Sequence, residues 1–275
     1  MADFRKYQLF ISLFCVLLAC NQDDRNEFAG PDNSLNDGIL KILFLGNSHT
    51  FYNDLPGIVK QIATNLDYPD SIFIRTVAPG GYSLQDHLLL QETQKDIEGE
   101  NWDVVVLQEN AVIAATDKSE AEVLMIQPAL KLGKLIKENN GETQVIWYLP
   151  QAYRNGIIPC ESDPGICSFN SMLDRIRQNY LTAQSVVESK IAPAGVIWKV
   201  LFSKDQSIEL HAPDDIHPNK LGSWVSAATI YATLFNQELK LSEVQWPEDL
   251  KDYEIDVQNT INQTIFRMEP NWTVF

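Results

Sequence analysis

The first candidate catalytic residue is Ser48, a serine that closely follows an apolar run. Residues 41–50 read KILFLGNSHT, so β-favouring apolar residues stop at Gly46 and Ser48 follows two positions later. Such a run is typical of a strand buried on both faces, and a helical pattern begins shortly after it, with Asp54 and Pro56 as start signals. A serine at a strand-to-helix turn lies beside backbone N–H groups that stabilise an anion, which suits acyl transfer. The alternative is that Ser48 only caps the helix.

A second candidate group lies in the segment PDDIHP, residues 213–218. Asp214 and His217 are three positions apart, so one short loop presents an imidazole and a carboxylate that orients it. In a Ser-His-Asp arrangement the histidine accepts the serine proton, and the carboxylate stabilises the imidazolium that forms. Together with Ser48 these residues predict a nucleophile, a general base and an orienting acid. A helix-capping acidic loop with a surface histidine is the alternative.

The same segment also permits a metal-dependent hydrolase, with His211, Asp214, Asp215 and His217 as the ligands. A metal site should show further ligands at a recognised spacing, and the two remaining histidines do not have one. We therefore expect neither a metal nor another cofactor.

Strand and helix patterns alternate along the chain and must position these residues. After the strand before Ser48, the apolar runs predict four more strands, at residues 71–77, 103–107, 144–149 and 194–200. Helical patterns separate them, Pro128 breaks or restarts one of these helices, and amphipathic helices are predicted over residues 169–188 and 221–235. Repeated strand–helix order predicts a single α/β domain over residues 38–275, with a parallel sheet and helices on both faces. Residues 241–275 give no clear pattern.

The quoted segments, taken together, resemble the SGNH hydrolase superfamily of GDSL-type lipases and esterases. Gly46-Asn47-Ser48 is similar to its first block and Asp214-x-x-His217 to its last. Between them, Gly80-Gly81-Tyr82-Ser83 and Leu107-Gln108-Glu109-Asn110 follow the second and third predicted strands, as the two middle blocks do. Two departures stand out, because Asn47 replaces the commoner aspartate and Gln108 replaces the usual glycine.

The resemblance implies a fold, an activity and an oxyanion hole. The fold is a three-layer flavodoxin-like sandwich around a five-stranded parallel sheet. The activity is ester hydrolysis through an acyl-enzyme on Ser48. The oxyanion hole would use the backbone N–H groups of Ser48 and Gly81 and the side-chain amide of Asn110, with Gln108 as a rival donor. A surface lipoprotein that binds a glycan or peptide in the same cleft without catalysis is the alternative function.

The N-terminus carries an export signal. Residues 1–20 combine a basic start with an apolar core too short to span a bilayer, and they end in Leu17-Leu18-Ala19-Cys20. This ending resembles a bacterial lipobox, which implies acylation of Cys20, attachment to a membrane and an outer-membrane location. Residues 21–37 are polar and aperiodic, which predicts a flexible tether.

The other two cysteines of the exported part, Cys160 and Cys167, close a short loop that contains Pro164 and Gly165. In an oxidising compartment this spacing predicts a disulfide. A formal net charge of −16 with only 21 basic residues argues against a nucleic-acid partner. The sequence does not indicate an oligomeric state.

The substrate is predicted to be a small-molecule or glycan ester. Trp147, Tyr148 and Tyr153 fall at the carboxyl end of the fourth predicted strand and just beyond it, where open α/β sheets bind ligands. Aromatic side chains at that edge can stack on sugar rings, although they more often belong to the core. Since exported members of the superfamily suggest glycan deacylation, an O-acetylated carbohydrate is the favoured substrate.

Overall fold

The computed structural model of the protein describes residues 38–66, 68 and 71–268. The predicted signal segment and tether lie outside these residues. Within them, five strands form one parallel sheet in the order β2-β1-β3-β4-β5. The strands are β1 (Ile39–Leu45), β2 (Ser71–Val77), β3 (Val104–Leu107), β4 (Gln144–Tyr148) and β5 (Lys190–Ala192). The helices are α1 (Ser48–Phe51), α2 (Leu55–Asn65), α3 (Leu84–Leu89), α4 (Gln91–Gly99), α5 (Ala111–Ala114), α6 (Lys118–Ala121), α7 (Gln127–Asn139), α8 (Phe169–Val186), α9 (Ala194–Lys204), α10 (Lys220–Phe235) and α11 (Glu254–Arg267).

The two faces of the sheet are covered by different helices. Alternate side chains of a strand point to opposite faces, so Ile42 and Phe44 pack with α2, α9, α10 and α11. Leu43 and Leu45 point the other way and pack with α4, α7 and α8. From Ile42 to Leu45 both faces of β1 are fully buried, which explains why this part of its sequence is apolar without alternation. The predicted three-layer α/β sandwich with a five-stranded parallel sheet is confirmed.

The register of β2, β1 and β3 brings their carboxyl ends to one edge of the sheet. Leu45, the last residue of β1, pairs with Val77 at the end of β2 and with Leu107 at the end of β3. The loops after these strands therefore start side by side. They are the loops that carry Ser48, Gly81 and Asn110.

The prediction of a fifth strand at residues 194–200 is wrong. The fifth strand is Lys190–Ala192, which pairs with β4, and the following apolar segment is the helix α9. A short apolar run fits a buried strand and a buried helix equally well, because both hide their side chains on all sides. Here Trp198 and Ile197 of α9 are both fully buried in the core.

Three further segments complete the chain. Pro128 lies in the first turn of α7, directly after a π-helical turn at Glu122–Ile126, so the helix restarts there. The irregular segment between β4 and α8 contains a disulfide between Cys160 and Cys167. Residues 241–268, where the sequence shows no clear pattern, contain α11, which packs on the core through Val257 and Ile261. Among the residues described here, no helix is long and apolar enough to cross a membrane.

Candidate active site

The turn between β1 and α1 presents the Ser48 hydroxyl. Asn47 occupies the N-cap of α1, where its side-chain oxygen accepts a hydrogen bond from the His49 N–H at 3.1 Å. Ser48 is thus the first helical residue and not the cap, so its hydroxyl is available for another partner. The turn is tight at Gly46, where an added Cβ would lie 2.2 Å from the Thr50 hydroxyl oxygen.

His217 and Asp214 complete a continuous chain of hydrogen bonds with Ser48. Nδ1 of His217 lies 2.7 Å from the Asp214 carboxylate, and Nε2 lies 2.8 Å from Ser48 Oγ. Because the carboxylate only accepts, the hydrogen-bond network assigns the ring proton to Nδ1 and leaves Nε2 to accept from the hydroxyl. The three predicted residues therefore meet with the geometry of a nucleophile, a base and an orienting acid.

The Asp214 carboxylate is held ionised by its own loop. Burial by itself raises the pKa of Asp214, but hydrogen bonds from the His217 side chain and from the His217 and Ile216 backbone N–H groups outweigh it and lower the pKa to about 2. The two backbone bonds are 2.9 and 3.0 Å long. This loop turns at Asp215, whose φ of 64° lies in the left-handed region that aspartate tolerates better than most residues.

Two aromatic rings that the sequence analysis missed flank the His217 imidazole. Tyr52 stacks on it at a centroid distance of 4.2 Å with nearly parallel planes, and the His49 ring lies 5.5 Å away. Burial is the main cause that lowers the pKa of His49 to about 3, and the neighbouring charge of His217 is the second cause. The His49 imidazole is therefore neutral at pH 7. Tyr52 lies four residues after Ser48, one helical turn away, and that spacing is the signal that could have identified it.

A cavity of about 400 Å³ opens at Ser48 and contains the candidate oxyanion donors Gly81 and Asn110. The Asn110 side chain donates to the Gly81 carbonyl at 2.9 Å and accepts from the Val112 N–H at 2.9 Å, which fixes its orientation. Each amide nitrogen carries two hydrogens, so a second N–H remains. Gly81 itself has a φ of +77°, a conformation that favours glycine.

Gln108, the rival donor, does not line this cavity. Its side chain is fully buried behind the Ser48 turn. Its carbonyl oxygen accepts from the Asn47 N–H at 2.9 Å and from the Thr50 hydroxyl at 2.8 Å, and its amide donates to the Glu109 carbonyl. Gln108 therefore supports the nucleophile turn from within the protein.

The four residues of the metal interpretation do not converge. His211 packs its ring against Trp198 and bonds the Ala152 carbonyl at 2.9 Å, and Asp215 pairs with Arg154. In the part of the chain that the structure describes, no group of three or more histidine, cysteine or acidic side chains could hold a metal ion.

Of the three aromatic residues proposed to face a sugar, only Tyr153 lines the cavity. Trp147 and Tyr148 are fully buried, because they are strand residues covered by helices on both faces. Phe51 and Tyr52, from the segment after the nucleophile, also line the cavity.

Comparisons with known proteins support the fold. No protein-family model matched the chain, and neither did any curated protein. Among solved structures, a proposed SGNH hydrolase from Slackia heliotrinireducens is 26% identical, with a TM-score of 0.57 over 71% of this chain and 99% of its own. A DUF4886 family protein from Bacteroides uniformis is 16% identical, with a TM-score of 0.67 over 83% of this chain and 95% of its own. A variant of an acetyl xylan esterase from Geobacillus stearothermophilus is 16% identical, with a TM-score of 0.51 over 76% of this chain and 97% of its own.

The parallel sheet, the four sequence blocks and these structural neighbours lead to one assignment. The blocks lie at the carboxyl edge of the sheet in the order that the resemblance implies. In its fold and in these four blocks the chain is similar to the SGNH hydrolase superfamily.

Proposed function

We propose that the protein is a serine esterase that uses Ser48, His217 and Asp214 on O-acetylated carbohydrates. One observation carries the proposal, namely the unbroken hydrogen-bond chain from the Asp214 carboxylate through His217 to the Ser48 hydroxyl. That chain borders a cavity whose lining includes the candidate donors Gly81 and Asn110. A protein that only bound a ligand would not need this geometry.

The chemistry proceeds in two halves. In the first, the Ser48 hydroxyl adds to the ester carbonyl carbon while its proton passes to His217 Nε2, and the carbonyl oxygen becomes an oxyanion. The oxyanion accepts from the Ser48 and Gly81 backbone N–H groups and from the Asn110 amide. Collapse breaks the ester C–O bond, and the departing alkoxide takes the proton from His217. In the second half a water gives a proton to His217 and its oxygen adds to the acyl carbon. Collapse then breaks the bond between that carbon and Ser48 Oγ, the proton returns from His217 to Oγ, and the acid leaves.

The lining of the cavity favours a carbohydrate ester over a long-chain lipid. The cavity volume of about 400 Å³ must hold both the acyl group and the alcohol part of the substrate, which leaves little room for a long acyl chain. Phe51, Tyr52 and Tyr153 give it flat apolar surfaces that can stack on sugar rings. The named activity of one structural neighbour, an acetyl xylan esterase, is consistent with this choice.

A fluorophosphonate probe tests the nucleophile directly. The wild type should be labelled covalently, whereas Ser48→Ala should not be labelled and should lose several orders of magnitude in kcat with little change in Tm. Esters of increasing acyl length, assayed beside acetylated polysaccharides, test the substrate, and acetyl esters should be preferred. Full activity or labelling of Ser48→Ala would contradict the proposed mechanism. An unlabelled, inactive wild type that binds a glycan would support the non-catalytic alternative.

We also propose that the mature protein is a lipoprotein attached through acylated Cys20 to the bacterial outer membrane. The proposal rests on the Leu17-Leu18-Ala19-Cys20 run and on the short apolar segment before it. The formal net charge of −16 argues against a nucleic-acid partner.

A further inference from the structure

A buried carboxyl group lies next to the candidate oxyanion hole and has no part in the proposed proton transfers. Glu109 precedes Asn110 and is fully buried. Its Oε1 accepts from the Asn110 N–H at 2.6 Å and from the Leu84 N–H at 3.2 Å. Its Oε2 lies 3.4 Å from the same Leu84 nitrogen.

These two N–H groups belong to the two segments that carry the candidate donors. Asn110 supplies its own side-chain amide, and Leu84 is the first residue of α3, three positions after Gly81. The Asn110 side chain also bonds the Gly81 carbonyl at 2.9 Å, so the segments are joined at two points. The Glu109 carboxyl thus ties the base of the glycine loop to the segment that carries Asn110. If either segment moved, the Gly81 N–H and the Asn110 amide could no longer donate to the same substrate oxygen.

The charge of Glu109 matters because the reaction creates a negative oxygen nearby. Burial raises the pKa of Glu109 to about 8, against the lowering effect of the two backbone N–H groups. Asp86 on α3 raises this pKa further, and the phenol oxygen of Tyr180 on α8 accepts a hydrogen bond from the Glu109 backbone N–H at 2.9 Å. His87, also on α3, directs its ring nitrogens to Gly46 and Thr93.

A neutral carboxyl group is sufficient for both contacts. The carbonyl oxygen of a protonated acid has two lone pairs, and here it meets two N–H donors. An ionised carboxylate would make the same contacts but would add a negative charge, in a buried site, one residue from the candidate oxyanion donor. Below pH 8 the protonated form gives the clamp without that electrostatic cost to the tetrahedral intermediate.

We propose that Glu109 is a positioning residue that holds the Gly81 and Asn110 segments together as a buried hydrogen-bond acceptor. The inference rests on the proposed esterase function and extends it to the group that sets the geometry of the oxyanion hole. Glu109 does not touch substrate in this scheme, so it acts only through the donors that it positions.

Two substitutions separate the acceptor from the charge. Glu109→Gln keeps a carbonyl oxygen in place and cannot ionise, whereas Glu109→Leu fills similar space without an acceptor. We expect Glu109→Gln to lose less than about threefold in kcat at pH 7. Glu109→Leu should lose roughly 10 to 10²-fold in kcat with KM little changed, which is a smaller loss than removal of a direct oxyanion donor causes.

The pH profile gives a second readout. Wild-type kcat should fall as the pH rises through about 8, where Glu109 ionises, and Glu109→Gln should lack this decline.

Several outcomes would overturn the inference. The first is a kcat of Glu109→Leu equal to that of the wild type. The second is an equal loss of kcat in Glu109→Gln and Glu109→Leu. The third is a fall in kcat at alkaline pH that persists in Glu109→Gln. If Glu109→Leu does not fold, Glu109→Asp replaces it, because shortening the arm by one methylene also withdraws the acceptor. Ser48→Ala, assayed in parallel, keeps the two proposals apart. A wild type without hydrolysis or labelling refutes the esterase, whereas a Ser48-dependent activity that is insensitive to Glu109 refutes only the clamp.

Discussion

At the scale of single residues, the distinction between Gln108 and Asn110 depends on where strand β3 ends. Both carry an amide and both follow the strand, so both were candidates for the oxyanion donor. The strand stops at Leu107, and the chain then turns, which directs Gln108 into the core and leaves Asn110 in the cavity wall. The two side chains should therefore support different properties of the protein.

We predict opposite phenotypes for Asn110→Ala and Gln108→Ala. Asn110→Ala should lower kcat about 10² to 10³-fold, the magnitude of one lost oxyanion donor, with a smaller effect on KM. Gln108→Ala leaves three buried hydrogen-bonding groups without their partner, so it should lower the free energy of unfolding by about 1 to 3 kcal/mol or more. Steady-state kinetics on an acetyl ester and urea unfolding of both variants make the comparison. A larger kcat loss in Gln108→Ala, at unchanged stability, would return the donor role to Gln108.

At the scale of elements, the junction between β1 and α1 is tightly packed. The Gly46 N–H donates to the Val77 carbonyl at 3.1 Å, which ties the junction to β2. The Gly46 carbonyl accepts from His87 at 2.8 Å, and its Cα faces the Thr50 and Gln108 side chains. Ser48 lies two residues further on, so its position depends on these contacts.

We predict that Gly46→Ala impairs both stability and catalysis. The new methyl group would lie 2.2 Å from Thr50 Oγ1 and 2.7 Å from Gln108 Oε1, so the turn must shift. Such overpacking costs about 1 to 3 kcal/mol, and a displaced nucleophile lowers kcat by about 10²-fold. Thermal unfolding and acetyl ester hydrolysis measure the two effects. Gly99→Ala, at the end of α4 with no atom within 4 Å of the added Cβ, is the matched control and should leave both unchanged. Wild-type kcat in Gly46→Ala would show that Ser48 does not depend on this close approach.

At the scale of the whole molecule, the domain is strongly acidic and the proposed attachment to a membrane lies outside it. The formal net charge of −16 gives no electrostatic attraction to anionic lipid surfaces. Stable attachment would then depend on acyl chains, which contribute about 0.8 kcal/mol per buried CH₂.

We predict that Cys20→Ala prevents lipid attachment. In a bacterial host the wild type should partition into detergent and carry the mass of an acylated N-terminus at Cys20. The variant should be released from the membrane fraction or accumulate unprocessed. Esterase activity per folded molecule should be similar in the released variant, because the candidate site lies within residues 47–217. A wild type that is lipid-free by intact mass would contradict the lipoprotein proposal.

Much of the fold could be predicted from local pattern. Apolar runs ending in glycine or polar residues marked β1 to β4, and the alternation with helices implied a parallel sheet. Since parallel strands end at a common edge, the blocks after β1, β2 and β3 start close together, as the paired ends Leu45, Val77 and Leu107 show. The Asp214-x-x-His217 spacing is local too, because one short loop determines it.

Tertiary structure decided which of several suitable side chains reaches the cavity. The sequence of the first block allowed Ser48 to be the helix cap, but the turn gives that position to Asn47. The apolar segment after Pro193 became a helix and not a strand, since β4 already pairs with Lys190–Ala192. Trp147 is aromatic and lies near the correct edge, yet helices cover it. Residue type and spacing determine which chemistry is available. Burial depends on how distant segments pack, and this packing buries Glu109 beneath the site and leaves Asn110 in the cavity wall.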